Sequence, residues 1–83
     1  MTEFYVKLRS ITDVKLFVTH ASLMPVDIDV VSGRYTVDAK SILGLCSLDL
    51  EKPVQVKVYG SPEEGEAFRT GVAGLITDAP QEY

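Results

Sequence analysis

The sequence predicts an α+β fold in which a four-stranded antiparallel sheet is covered on one face by three helices, in the order β-α-β-β-α-β-α. Four stretches alternate apolar and polar side chains, two stretches repeat apolar residues at helix spacing, and a short serine-led apolar run separates the last two strands. A β-α-β crossover followed by a hairpin gives an open-faced sandwich, with all the helices on one side of the sheet.

Each predicted strand has one apolar face and one polar face, although RYTVD alternates less cleanly than the other three runs. Ser32-Gly33 separates the second strand from the third, and its glycine can take the positive φ of a tight turn. The four alternating runs are EFYVKL at 3–8, VDIDVV at 26–31, RYTVD at 34–38 and VQVKVY at 54–59.

Three helices are predicted to cover the apolar face of the sheet. The first carries its apolar residues at helix spacing and ends before Pro25. The last, within 61–76, opens with Ser61 as N-cap, Pro62 at its first position and Glu64 placed for a capping box. The run VDAKSILGLCSLDL at 37–50 has room for about two helical turns. The two long apolar stripes are Val14, Phe17, Val18 and Ala21, and Phe68, Val72, Leu75 and Ile76.

Length and charge limit the classes of function. Eighty-three residues make a single domain, 1–83, with a polar tail at 77–83 that we expect to fray. The net charge is −4 without a cluster of Lys or Arg, so we do not expect a nucleic-acid partner. No apolar stretch is long enough for a membrane span, and the first residues lack the pattern of a signal peptide. With one cysteine, the expected location is the cytoplasm.

The sequence shows no set of catalytic or metal-binding residues. His20 is the only histidine, and it lies off the apolar stripe of the first helix, where we expect a solvated side chain. Cys46 has no second cysteine and no suitably spaced histidine for a zinc site. Neither common glycine-rich phosphate loop occurs. We therefore expect a protein that is not an enzyme and needs no cofactor or metal.

Ser41 can be interpreted in two ways. A serine before an apolar turn is a favoured N-cap, and this role alone would explain it. A phosphate added there would instead place charge at the start of a helix and at the edge of the apolar patch formed by Ile42, Leu43 and Cys46. The residues themselves leave both readings open.

Residues from about 17 to 76 resemble the HPr phosphocarrier family of the bacterial phosphoenolpyruvate:sugar phosphotransferase system. AKSILGLCSL at 39–48 is similar to the segment around the regulatory serine of that family. VQVKVYGSPEEGEAF at 54–68 is similar to its last strand and the opening of its last helix, and LFVTHAS at 16–22 to part of its first helix. The predicted order of elements is also that of the family.

The resemblance implies a changed active site. In the family, a histidine at the start of the first helix carries the phosphoryl group, within G-L-H-A-R-P-A. Counting back without gaps brings Ser10 to the position of that histidine, Thr12 to that of the arginine and Asp13 to that of the proline. The resemblance thus predicts a member that does not carry phosphate on histidine, with Ser10 as a helix cap.

What the resemblance implies at the second site is regulation through protein contacts. Ser41 matches a serine that a dedicated ATP-dependent kinase phosphorylates in many Gram-positive relatives, and Ile42, Leu43 and Cys46 match residues that dock onto partners. The implied partners are phosphotransferase-system components, the serine kinase or a transcription regulator of carbon catabolite repression. Pairing into a homodimer through open strand edges stays an open possibility.

Two other functions remain as alternatives at this point. A β-α-β-β-α-β core is shared by small metabolite-binding sensor domains of ferredoxin-like topology, although fold analogy alone supports that reading. A phosphocarrier that uses another residue is the second alternative. Mass gain after incubation with phosphoenolpyruvate and the first enzyme of the phosphotransferase system would separate them.

Overall fold

A computed structural model describes residues 1–80, and it contains a five-stranded antiparallel sheet with helices on one face. The strands are β1 (Thr2–Val6), β2 (Asp27–Ser32), β3 (Tyr35–Asp38), β4 (Val54–Tyr59) and β5 (Ile76–Thr77). The helices are α1 (Ile11–Ser22), α2 (Ile42–Cys46) and α3 (Pro62–Gly71), followed by a 3₁₀ turn at Ala73–Leu75. The strand order across the sheet is β3-β2-β4-β1-β5.

In β1, β2 and β4 the apolar residues of the alternating pattern lie on the buried face of the sheet, as predicted, whereas β3 has no buried residue. Val30 pairs with Val56, and Phe4 pairs with Val56 from the other side, so the inward side chains form rows across the strands. Gly33 has φ +58 in the turn between β2 and β3, which confirms the expected tight turn. Phe68 of α3 lies at the centre of the core, with its ring 5.4 Å from that of Phe17 and 6.1 Å from that of Phe4.

The end of the chain differs from the prediction. The sheet has a fifth strand, in which Ile76 and Thr77 pair with Val6 and Tyr5. The last helix ends at Gly71 rather than continuing to Ile76, because Val72 leaves helical geometry at φ −112 and ψ 23. Val72 and Leu75 are still buried, so the apolar stripe was assigned to the core correctly but not to one continuous helix.

The described part of the polar tail continues past β5 through exposed residues 78–80, and the rest of the predicted tail lies outside the described residues. No helix within residues 1–80 is long and apolar enough to cross a membrane.

Candidate functional site

The start of α1 is held together by its own side chains. Ser10 is the N-cap, and its Oγ accepts a hydrogen bond from the backbone N–H of Asp13 at 3.1 Å. The carboxylate of Asp13 turns back and accepts the backbone N–H of Arg9 at 2.8 Å. The first bond satisfies a donor that a helix start otherwise leaves free, and the second holds the residue before the N-cap. The predicted capping role of Ser10 is therefore confirmed.

The chain's histidine lies far from this helix start. His20 is in the last turn of α1, ten residues after Ser10, which corresponds to roughly 15 Å along a helix axis. We expected a solvated side chain, but His20 is half-buried because it packs against α3. A Cβ built on Gly71 would lie only 2.9 Å from the Nδ1 of His20. The imidazole is therefore placed between two helices and not beside Ser10.

Ser41 caps α2 in the same way that Ser10 caps α1. Its Oγ accepts the backbone N–H of Gly44 at 3.0 Å, and its own N–H donates to the carbonyl of Asp38 at 3.0 Å. The side chain is half-buried, and the first turn of α2 contains no acidic residue. The predicted N-cap is confirmed, and α2 has five residues, which is within the predicted limit of about two turns.

The outer side of α2 is apolar and exposed. Leu45 anchors the helix in the core with no exposed surface, and a Cβ on Gly44 would lie 3.2 Å from the Cβ of Val37 on β3. On the other side, Ile42 is 41% exposed, Leu43 is 84% exposed and the Cys46 thiol is free. We call these three residues the α2 patch. A five-residue helix thus places its apolar side chains partly in the core and partly in solvent.

The segment from Lys40 to Glu51 runs alongside α1 in the opposite direction. At one end, the ammonium of Lys40 donates to the carbonyl of Met24, just beyond the C-terminus of α1. At the other end, the ammonium of Lys7 donates to the carbonyls of Leu50, at 2.9 Å, and of Glu51, next to the start of α1. The α2 patch and the exposed residues of α1 consequently lie on the same side of the molecule.

Within residues 1–80, no three His, Cys, Asp or Glu side chains are grouped so that they could hold a metal ion. On the open face of the sheet, Tyr59 lies beside Asp27 and Asp29. Partial desolvation, followed by a hydrogen bond to Asp29 and the charge of that carboxylate, raises the pKa of the Tyr59 hydroxyl.

Comparisons with known proteins identify the family. The family model described as "PTS HPr component phosphorylation site" matches residues 13–78, so Ser10 and Thr12 lie just outside the matched segment. The crystal structure of HPr-C-His from Thermoanaerobacter tengcongensis is 26% identical, with a TM-score of 0.75 over 92% of this chain and 91% of that one.

A phosphocarrier protein HPr from Bacillus anthracis is 24% identical with a TM-score of 0.70, over 92% of this chain and 96% of that one, and it supports the fold. A search of the curated proteins finds no match. The chain therefore belongs to the HPr family of the phosphotransferase system, whose members are phosphocarriers that interact with other proteins of that system and are not enzymes.

Proposed function

We propose that this HPr-family protein does not carry phosphate on histidine and acts through protein contacts that phosphorylation of Ser41 regulates. The observation that carries the proposal is the start of α1, where Ser10 caps the helix and Asp13 is bonded to Arg9. A phosphocarrier needs a nucleophile there, and a serine hydroxyl without a neighbouring base is a poor one. The negative charge of Asp13 would also repel an incoming phosphoryl group.

The placement of His20 supports the same conclusion. A carrier histidine must present a ring nitrogen to a partner's phosphorylated group, whereas the Nδ1 of His20 faces the backbone of α3 at Gly71. Its position in the last turn of α1 also places it at the other end of that helix from Ser10. The chain has no other histidine.

Ser41 fits the role of a regulatory acceptor in an ATP-dependent reaction. The terminal phosphoryl group of ATP would pass to Oγ, with release of ADP and a proton. The product adds a charge of about −1.5 to −2 at neutral pH. That charge would lie next to Ile42 and Leu43, whose exposed apolar surface suits the docking of a partner protein. Phosphorylation would therefore change which partner the α2 patch accepts.

The proposal includes the setting in which the protein acts. We expect a single domain over residues 1–83 in the cytoplasm of a bacterium, where its partners are other phosphotransferase-system proteins, a serine kinase or a transcription regulator in carbon catabolite regulation. Family membership supports the first kind of partner. We also keep a homodimer as a possible assembly, to be measured by sedimentation.

Two reactions test this function. The protein is incubated with phosphoenolpyruvate and the first enzyme of the phosphotransferase system, and separately with ATP and the HPr serine kinase, and the intact mass is measured. We expect a gain of one phosphate in the second reaction only. Ser41→Ala should abolish this gain, and Ser47→Ala, which changes an exposed serine at the other end of α2, should retain it. Mass gain in the first reaction would contradict the non-carrier function.

A further inference from the structure

The first turn of α1 contains a carboxylate, that of Asp13. Asp13 is half-buried, and its carboxylate is fixed by the bond to the Arg9 N–H while its own N–H is bonded to Ser10. A carboxylate held in this way is less free to move aside than an unbonded surface aspartate, because leaving would break its bond to the Arg9 N–H. The bond consequently holds the carboxylate at this end of the molecule.

This end is next to the surface through which we propose that the protein binds its partners. The Lys7 bond to Leu50 ties the segment after α2 to the segment before α1. A cleft of about 490 Å³ between these segments is lined by Leu8, Arg9 and Leu48, among others. Ile11, in the first turn of α1, is 55% exposed. A partner that covers Ile11 and the α2 patch together would therefore lie close to Asp13.

We infer that Asp13 determines specificity, by favouring partners in their unphosphorylated form over the same partners when they carry a phosphoryl group. The inference rests on the proposed function, since it needs a phosphotransferase-system protein to contact this surface. A phosphoryl group on such a partner brings up to two negative charges, and placing like charges together in a contact weakens binding. An HPr family protein with this residue would bind its partners most tightly after they have released their phosphate.

Two exposed cations near Asp13 would have the opposite effect on the binding of a phosphorylated partner. Arg9 and Lys15 lie on either side of Asp13 in the sequence, and both side chains are exposed. Solvated surface cations contribute little to binding unless a partner desolvates them. If they dominated, the phosphorylated form of a partner would bind more tightly, which is the opposite of the preference that Asp13 predicts.

The test measures binding of the first enzyme of the phosphotransferase system by calorimetry, once unphosphorylated and once kept phosphorylated with excess phosphoenolpyruvate. We expect about tenfold tighter binding of the unphosphorylated form, within the usual range of coupling between two sites. Asp13→Asn keeps an oxygen that can accept the Arg9 N–H but removes the charge, and it should reduce the preference to about threefold or less. A purely structural effect would shift both affinities equally and leave their ratio unchanged.

Glu63→Gln is the matched control. It removes one carboxylate from the first turn of α3, at the opposite end of the sheet, and should retain the tenfold preference. Equal binding of both forms, tighter binding of the phosphorylated form, no binding of either form, or an unchanged ratio in Asp13→Asn would each overturn the inference. Intact mass in the same samples separates this from failure of the proposed function, which would show as phosphate gained from the enzyme.

Discussion

The helices α1 and α2 begin with the same kind of serine cap, but only the first turn of α1 carries a carboxylate. Ser10 and Ser41 each accept the backbone N–H of the residue three positions on, at 3.1 and 3.0 Å. At α1, the carboxylate of Asp13 is added to this cap, whereas the first turn of α2 has no acidic residue. Because the two caps share this geometry, a serine cap by itself does not identify a phosphorylation site, and the charge near the cap is the difference that separates Ser41 from Ser10.

The third helix shows that α2 is the exception. Ser61 accepts the N–H of Glu64 at 3.1 Å, and the Glu64 carboxylate accepts the N–H of Ser61 at 2.9 Å, which is a complete capping box. In both α1 and α3, a carboxylate from the first turn thus accepts a backbone N–H at or just before the N-cap. Of the three α-helices in the described residues, α2 alone begins without one.

The largest expected effect comes from removing the anchor of α2. Leu45 has no exposed surface and is the buried residue of this five-residue helix. Leu45→Ala should lower the free energy of unfolding by about 2–5 kcal/mol in urea denaturation, because it leaves a cavity under α2. It should also reduce phosphorylation of Ser41, since the frame around that serine loosens.

Leu43→Ala is the control for this prediction. Its side chain is 84% exposed, so the free energy of unfolding should change by less than about 0.5 kcal/mol. If Leu45→Ala cost no more than Leu43→Ala, packing would not be what holds α2 and the comparison of the two caps would lose its basis.

Removal of each cap gives the next largest effect. Ser10→Ala and Ser41→Ala should each destabilise the protein by about 1 kcal/mol in urea denaturation. The cost at Ser41 should be at least as large, because the start of α1 keeps the bond between Asp13 and Arg9. Ser22→Ala, at the exposed last position of α1, should have little effect. A clearly larger cost at Ser10 would show that Asp13 does not support the α1 cap.

The charge at α1 contributes less to stability than the caps. Asp13→Asn should lower the free energy of unfolding by about 0.3–1 kcal/mol, through loss of a favourable charge at the helix start. The difference in the free energy of unfolding between the unsubstituted protein and Asp13→Asn should shrink as salt is added, because salt screens electrostatic interactions near the surface. A cost that does not depend on salt would mean that the side chain acts through hydrogen bonding alone.

The sequence was sufficient to predict four of the five strands within residues 1–80, the three helix caps and the buried stripe of α1, because each depends on local spacing. It could not predict β5, since a two-residue strand has no periodicity and forms only where Ile76 and Thr77 meet β1. The position of His20 was also missed: its contact with Gly71 depends on how α1 and α3 pack. The bond between Asp13 and Arg9 was also missed, because it depends on the path of the backbone before α1.

The smallest effect concerns a site away from both caps. Partial desolvation and then the hydrogen bond to Asp29 raise the pKa of Tyr59, so its hydroxyl should ionise at a higher pH than that of an unperturbed tyrosine. A hydroxyl whose pKa is raised on folding favours the folded state less once the pH exceeds its unfolded pKa. In an NMR titration, Asp29→Asn should bring this pKa down, while leaving the preference measured at Asp13 unchanged. An unshifted titration would argue against the contact.

The most direct test of the account is to locate phosphate within the chain after both reactions described above. Trypsin cleaves after Arg9, Lys15, Lys40 and Lys57, but not after Lys52, which precedes a proline, so that Ser10 and Ser41 fall in separate peptides whose masses can be read together. We predict phosphate in the peptide that contains Ser41, from ATP and the kinase, and none in the peptide that contains Ser10 from either donor. Phosphate on Ser10 or on His20 from phosphoenolpyruvate would contradict the account.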